Sequence, residues 1–209
     1  MASVFGAEFR RVENREYEGK PALVAVAIRT YETSVEDLWD AVTQPERLAR
    51  WFTAVEGDLK LGGRYQLKGN ASGTITRCDA PHALDVTWEM MGGISWVNVR
   101  LTAEGERARF MLEHIAHKDG IGEAHLKQFG PGAVGIGWDL SLYGLELHLK
   151  APGAPRDHAA IEAWSVSSEG KAFMRGSGEA WGEAHVASGA DPEDARARAE
   201  RTIAFYTGG

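Results

Sequence analysis

Hydrophobic period constrains this chain more than any other feature: it is two across residues 55–118 and helical from about residue 133. In the first stretch, strand-like runs 64–68, 72–77, 84–90, 95–102 and 107–115 lie between the breaks Gly62-Gly63, Gly69-Asn70, Asp79-Ala80-Pro81, Gly92-Gly93 and Glu104-Gly105-Glu106. Leu84, Val86, Trp88 and Met90 share one face, with Asp85, Thr87 and Glu89 opposite. Val97, Val99 and Leu101 share a face, as do Ala108, Phe110, Leu112 and His114, the last group with Arg109 and Glu113 opposite. Alternation of this kind predicts a sheet buried on one side only. The short connections predict antiparallel hairpins. From Ala133 to Lys150 the spacing predicts a helix of about 27 Å. Trp138, Leu142, Leu145 and Leu149 fall on one side of it, and Leu140, Tyr143 and Leu147 nearly opposite. Asp139, Glu146 and Lys150 lie on one flank between them. A surface helix needs a single apolar stripe, so this one is expected to be covered on two sides.

The flanking segments complete an α+β pattern. Residues 8–30 read as a hairpin turning at Glu18-Gly19, with Pro21 at the entry of the second strand, where a missing N–H is tolerated. Ser34-Val35-Glu36-Asp37 has the form of a capping box, and Val35, Leu38, Trp39 and Val42 follow at helical spacing. Pro45 opens a second short helix whose apolar face is Leu48, Trp51 and Phe52. Residues 117–132 read as a loop because of Gly120, Gly122, Gly130 and Gly132. Residues 151–155 break the chain. A helix is then expected over 168–188, with Phe173, Ala180, Trp181, Ala184 and Ala187 on one face and Gly176, Gly178 and Gly182 weakening it. Asp191-Pro192-Glu193 starts a last helix with Ala195, Ala199, Thr202, Ile203 and Tyr206 on one face. We expect residues 1–151 to form the main body and 152–209 to pack on the long helix as part of one cooperative domain.

Composition narrows the partners. The chain has 209 residues and a formal charge of −7, with no cluster of Lys and Arg to offset it, so nucleic acid is not an expected partner. Cys78 is the only cysteine and can form no internal disulfide. Met1 to Arg11 carries no apolar core of a signal peptide, and the longest apolar stretch, Ala22 to Ile28, is far short of a membrane span. No membrane contact is expected, and the cytoplasm is the expected compartment.

Local motifs then point to a family. The segment Ser34-Val-Glu-Asp-Leu-Trp-Asp-Ala-Val-Thr-Gln-Pro-Glu-Arg-Leu-Ala-Arg-Trp-Phe52, followed in order by Gly62-Gly-Arg-Tyr65, Gly73-Thr-Ile-Thr76, Leu84-Asp-Val-Thr-Trp88, Phe110-Met-Leu-Glu-His114 and Gly137-Trp138, resembles the branch of the SRPBCC or START-like superfamily named for the activator of the heat-shock-90 chaperone ATPase. The resemblance covers roughly residues 22–150, and residues 152–209 look like the helical extension of some bacterial members. It implies a helix-grip fold, a curved antiparallel sheet wrapped around a long helix. It also implies a cavity between sheet and helix, which relatives in the wider superfamily use for lipids, hormones or polyketides. A few of them catalyse cyclisation or hydrolysis.

Resemblance and alternation together put Trp88, Phe110, Leu112, His114, Trp138 and Leu142 around that gap, with Trp51 and Phe52 at one end. The same side chains can equally fill it as ordinary core. His114 is the one titratable group expected on the inward face, as a ligand contact, an acid or base, or a satisfied core histidine. His114, His117, Asp119, Glu123 and His125 lie close in sequence but lack the paired spacing of a zinc site. Cys78 beside Arg77 reads as a strand-end cysteine, and no Gly-x-Ser-x-Gly elbow occurs. No catalytic set, metal or cofactor is therefore expected. The leading expectation is a carrier or sensor for a small hydrophobic molecule. The alternatives are a chaperone-associated or other protein-interaction module, and a cyclase- or hydrolase-like enzyme using His114. The second stripe of the long helix can instead be a homodimer interface.

Overall fold

The computed structural model describes residues 6–119 and 123–209. Eight antiparallel strands form one sheet: Phe9–Tyr17 (β1), Lys20–Tyr31 (β2), Val55–Gly57 (β3), Arg64–Leu67 (β4), Ser72–Asp79 (β5), Ala83–Met90 (β6), Gly93–Glu104 (β7) and Arg107–His117 (β8). Their spatial order is β1-β2-β8-β7-β6-β5-β4-β3. The β1–β2 hairpin and the four strands β5 to β8 pair with their sequence neighbours, as short turns require. The long-range step is β2 against β8, in register Ala25 with His114 and Ala27 with Leu112.

Between β2 and β3 lie two short helices, Val35–Thr43 (α1) and Pro45–Trp51 (α2). The Ser34 side chain caps the first by accepting from the Asp37 N–H, and Pro45 opens the second. After β8 come Glu123–Phe129 (α3), Gly132–Lys150 (α4), His158–Val166 (α5), Ser168–Ala187 (α6) and Pro192–Thr207 (α7). The stretch expected to be a loop therefore contains the short helix α3; Gly120 and Gly122 lie outside the described residues. The glycines that suggested a loop flank this helix on both sides and none lies within it.

The main core joins the concave face of the sheet to α1 and to the Leu142–Leu145 side of α4. The convex face is not simply wet. Ala22, Val24, Val26, Ile28, Trp96 and Ile115 form a second buried cluster there. Arg15 on β1 and Glu113 on β8 pair at 2.8 Å across the intervening β2, so their stems roof its short Ala and Val side chains. One-sided burial, expected from the alternation of residues 64–115, therefore fails at Trp96 and Ile115, which pack with Tyr17 and Met111 on the convex face of β2.

Helix α4 packs on two sides, and two of its positions differ from the expected stripes. Ile136, Leu140 and Tyr143 pack on Phe173, Met174, Trp164 and Tyr206 of the tail helices. Leu147 remains 50% exposed, because Trp164 stacks on Tyr143 one turn short of it. Asp139, read as a flank residue, has no exposed surface at all. Two of the glycines read as weakening the tail helix are contact positions: a Cβ on Gly178 would come within 2.4 Å of the Ile203 side chain, and one on Gly182 within 2.9 Å of Ala199. Likewise Gly135 of α4 lies flat under the Trp181 indole, and a Cβ there would meet the ring at 2.4 Å. Glycine costs helix stability, but here it lets helices approach closely enough for those contacts. Among the described residues no helix is long and apolar enough to cross a membrane.

Candidate functional site

The concave face closes progressively across the sheet. On β8 the inward row Phe110, Leu112 and His114 is buried, and so is Val97, Val99 and Leu101 on β7. On β6 the matching row Leu84, Val86 and Trp88 is only half-buried. Strand twist carries the outer strands away from the straight α4, so the rows that diverge from it are the ones left uncovered. Across from Trp88 stand Trp138 on α4 and Phe52 at the end of α2, both also half-buried.

These rings touch. Trp88 and Trp138 meet edge to face at 5.3 Å between centroids, Phe52 stacks on Trp138 at 6.2 Å, and Trp51 lies 5.5 Å from Phe52. The Trp51 indole N–H donates to the Ala41 carbonyl at 2.9 Å, which fixes that end of the row to α1. The residues expected around one cavity thus separate into two sets. Trp51, Phe52, Trp88 and Trp138, all half-buried, form a continuous row of ring contacts that ends on the buried His114. Phe110, Leu112 and Leu142 sit behind it in closed core. At the level of His114 the rings themselves occupy the expected gap, with Trp88 and Trp138 at 6.1 and 5.9 Å from the imidazole.

The hydrogen bonds of His114 fix its proton. Trp138 Nε1 can only donate, and it donates to His114 Nδ1 at 3.0 Å. The neutral imidazole must then carry its proton on Nε2, which lies 3.0 Å from Ser95 Oγ. The Ser95 hydroxyl in turn donates to the Trp88 carbonyl at 3.2 Å. A serine beside a histidine suggests a nucleophile and its base, but the polarity here is reversed: the histidine donates to the serine, and its lone pair is held by an indole. Ser95 escaped the sequence reading because a lone serine on a strand carries no pattern. Burial pushes the His114 imidazole down to about 4. Between pH 6.5 and 4 the unfolded chain takes a proton that the folded site refuses. Stability is expected to be full above about pH 6.5 and to fall by about 3 kcal/mol towards pH 4. His114→Gln keeps a donor and an acceptor but cannot titrate. Urea melts of both proteins from pH 7 to 4 should show that slope in the parent and its loss in the variant; equal slopes would exclude His114 as the cause.

The other sequence candidates disperse. His117 lies on the convex face, bonded to the Tyr17 carbonyl at 3.0 Å and packed on Trp96 at 4.7 Å, while His114 points inward. His125 packs on Phe129. Cys78 is exposed. The buried polar centre that sequence reasoning missed is Asp139. Its Oδ1 accepts from the Ala7 N–H at 2.9 Å, and its Oδ2 accepts from Arg10 Nε at 2.9 Å, Trp181 Nε1 at 3.0 Å and the Ser177 hydroxyl. Burial pushes this carboxyl up, and Arg10, Ser177 and the Ala7 N–H pull it back. It ties the N-terminal segment, α4 and α6 together and offers no open face to a ligand.

A family model described as Activator of Hsp90 ATPase homolog 1-like protein matches residues 32–150. The crystal structure of CalU16 from Micromonospora echinospora is similar at 30% identity over 84% of this chain and 96% of that one, with a TM-score of 0.67. The solution structure of CalU16 is similar at 33% identity over 90% and 100% of the two chains, with a TM-score of 0.70. That likeness extends beyond the segment matched by the family model and so takes in helices of the tail. DynU16, from the dynemicin biosynthetic locus, shares the fold at 20% identity over 65% of this chain and 49% of that one, with a TM-score of 0.54. No curated protein matches the chain.

Proposed function

We propose that this chain, which belongs to the Activator of Hsp90 ATPase homolog 1-like family, is a carrier or sensor that binds a small apolar or aromatic molecule along the half-buried aromatic row of β6, α2 and α4, here called the aromatic trough. The observation that carries this reading is the half-buried inward row Leu84–Val86–Trp88 facing Phe52 and Trp138. Aromatic faces left wet beside a closed core can bury apolar area at no further cost in folding. A flat apolar ligand would lie against Phe52 and Trp138, with Trp88 as its wall. His114 holds Trp138 in place and stays neutral, so the reading requires no covalent step and no proton transfer.

The test is a titration with the neutral dye Nile red. Micromolar binding with a blue-shifted emission is expected. Trp88→Ala should weaken it roughly tenfold, equivalent to about 1.4 kcal/mol. Met91→Ala, at a residue 90% exposed on the β6–β7 turn, should leave it unchanged. No dye binding, or equal affinity for the parent and Trp88→Ala, would remove the reading. A second reading, chaperone-associated or other protein binding, rests on that same turn: Met90, Met91 and Ile94 present exposed apolar side chains together at its tip. It predicts the reverse, with partner binding abolished by Met91→Glu and indifferent to Trp88→Ala.

A further inference from the structure

We propose that the cleft between the β1–β2 hairpin, α3 and the α6–α7 turn is a second binding site, for a small carboxylate with a compact apolar body. The cleft has a volume of about 400 Å3, and its walls include Asn14, Leu23, Lys118, Leu126, His185 and Arg198. Its volume lies within the usual range for ligand pockets, about 300–1,000 Å3. None of its lining residues belongs to α4 or β6, so it is separate from the aromatic trough.

The floor is apolar. Leu23 is a buried residue of the concave row of β2, and Leu126 is half-buried on α3. The rim carries both signs, but its acids are already engaged. Glu123 pairs with Lys127 at 2.6 Å and Asp194 with Arg198 at 2.7 Å. Asp191 Oδ1 caps α7, accepting from the N–H groups of Glu193 and Asp194 at 3.1 and 2.9 Å. The basic groups keep donors to spare. Arg198 is partly engaged, one Nη donating to the Leu126 carbonyl at 3.2 Å and the other pairing with Asp194 at 2.7 Å, so it adds positive potential at the rim while Lys118 supplies the free donors. Lys118 has its backbone N–H on the Pro21 carbonyl and an exposed side chain at the cleft. His185 lies beside them, and burial together with Arg198 and Lys118 holds its ring below the ordinary value, so it enters as a neutral donor or acceptor.

A single negative charge satisfies this arrangement best. A cation would meet Lys118, whose ammonium has no acidic partner among the described residues, and a neutral molecule would leave that charge without a counter-ion. A dianion would be opposed by Glu123, Asp191 and Asp194 on the same rim. One carboxylate between Lys118 and Arg198, with its hydrocarbon on Leu23 and Leu126, uses both parts of the cleft.

The test compares 4-phenylbutyrate with the neutral 4-phenyl-1-butanol, titrated into the full chain and followed by backbone and indole NMR shifts. The carboxylate should bind at least tenfold tighter than the alcohol, with shifts at Leu23, Leu126 and His185. Lys118→Glu should weaken it at least tenfold, and Ala190→Trp, which fills the cleft from the turn, should abolish it. Both variants should keep the parent's melting temperature and Nile red affinity, which separates failure here from failure of the trough reading. The proposal is overturned if carboxylate and alcohol bind alike, if neither variant changes the affinity, if the shifts fall on the Trp88 and Trp138 indoles, or if millimolar carboxylate gives no shifts.

Discussion

Asp139→Ala should lower the stability of the chain by about 3–5 kcal/mol, the range for breaking a buried charge pair from one side. The carboxylate is fully buried and collects donors from three places: the Ala7 backbone, Arg10 on β1, and Ser177 and Trp181 on α6. Removing it takes a buried acceptor away from a guanidinium that is itself mostly buried, and from an indole N–H and a hydroxyl inside the protein. Against a total stability of about 5–15 kcal/mol, that is a large share. For a chain of this length the melting temperature should drop by roughly 10 °C or more. Trp181→Phe is the internal control. It keeps the ring over Gly135 and removes only one of the donors, so its loss should be near 1 kcal/mol. Scanning calorimetry decides the matter. A drop of only a degree or two in Asp139→Ala would mean that the carboxylate organises nothing.

Deleting residues 153–209 should abolish the monomeric fold. The family model ends at residue 150, which on its own suggests that the body stands alone. The packing argues otherwise. The deletion uncovers Ile136, Leu140 and Tyr143 on α4 by removing Phe173, Met174, Trp164 and Tyr206. It also removes the Trp181 ring from Gly135 and two of the donors from Asp139. Losing one buried aromatic side chain typically costs about 3–5 kcal/mol, and several go at once here. The truncated chain is expected to aggregate or to self-associate through the bared stripe, as read by light scattering and size exclusion. A monomeric truncation with an unchanged melting temperature would show that body and tail are independent units and would end our proposal of one cooperative domain.

How far the site was legible follows from the range of the signals. The strand rows on β6, β7 and β8 were readable because alternation is local, and so was the Ser34 cap, whose partner is three residues away. The row of rings was half readable. Each aromatic could be assigned a face, but that Phe52 stacks on Trp138 as well as meeting Trp51 of its own helix depends on where α2 ends against α4. Ser95 and Asp139 were not readable. Each is polar at a position where pattern predicts nothing, and each acquires its role from a partner at least 19 residues away. The 400 Å3 cleft was equally silent, because its walls come from three separate parts of the chain, residues 14–23, 118–127 and 185–198.

Period, turn residues and capping, all legible within short windows, set the order and kind of the main elements, the antiparallel pairing and the demand of α4 for two covers. Which side chains end up half-buried, which carboxylate is sealed and which histidine nitrogen carries the proton are set by three-dimensional packing. Those depend on how far a twisted sheet diverges from a straight helix and on donors brought together from distant segments. Such distances are set by packing the whole chain at once, and no window of sequence contains them.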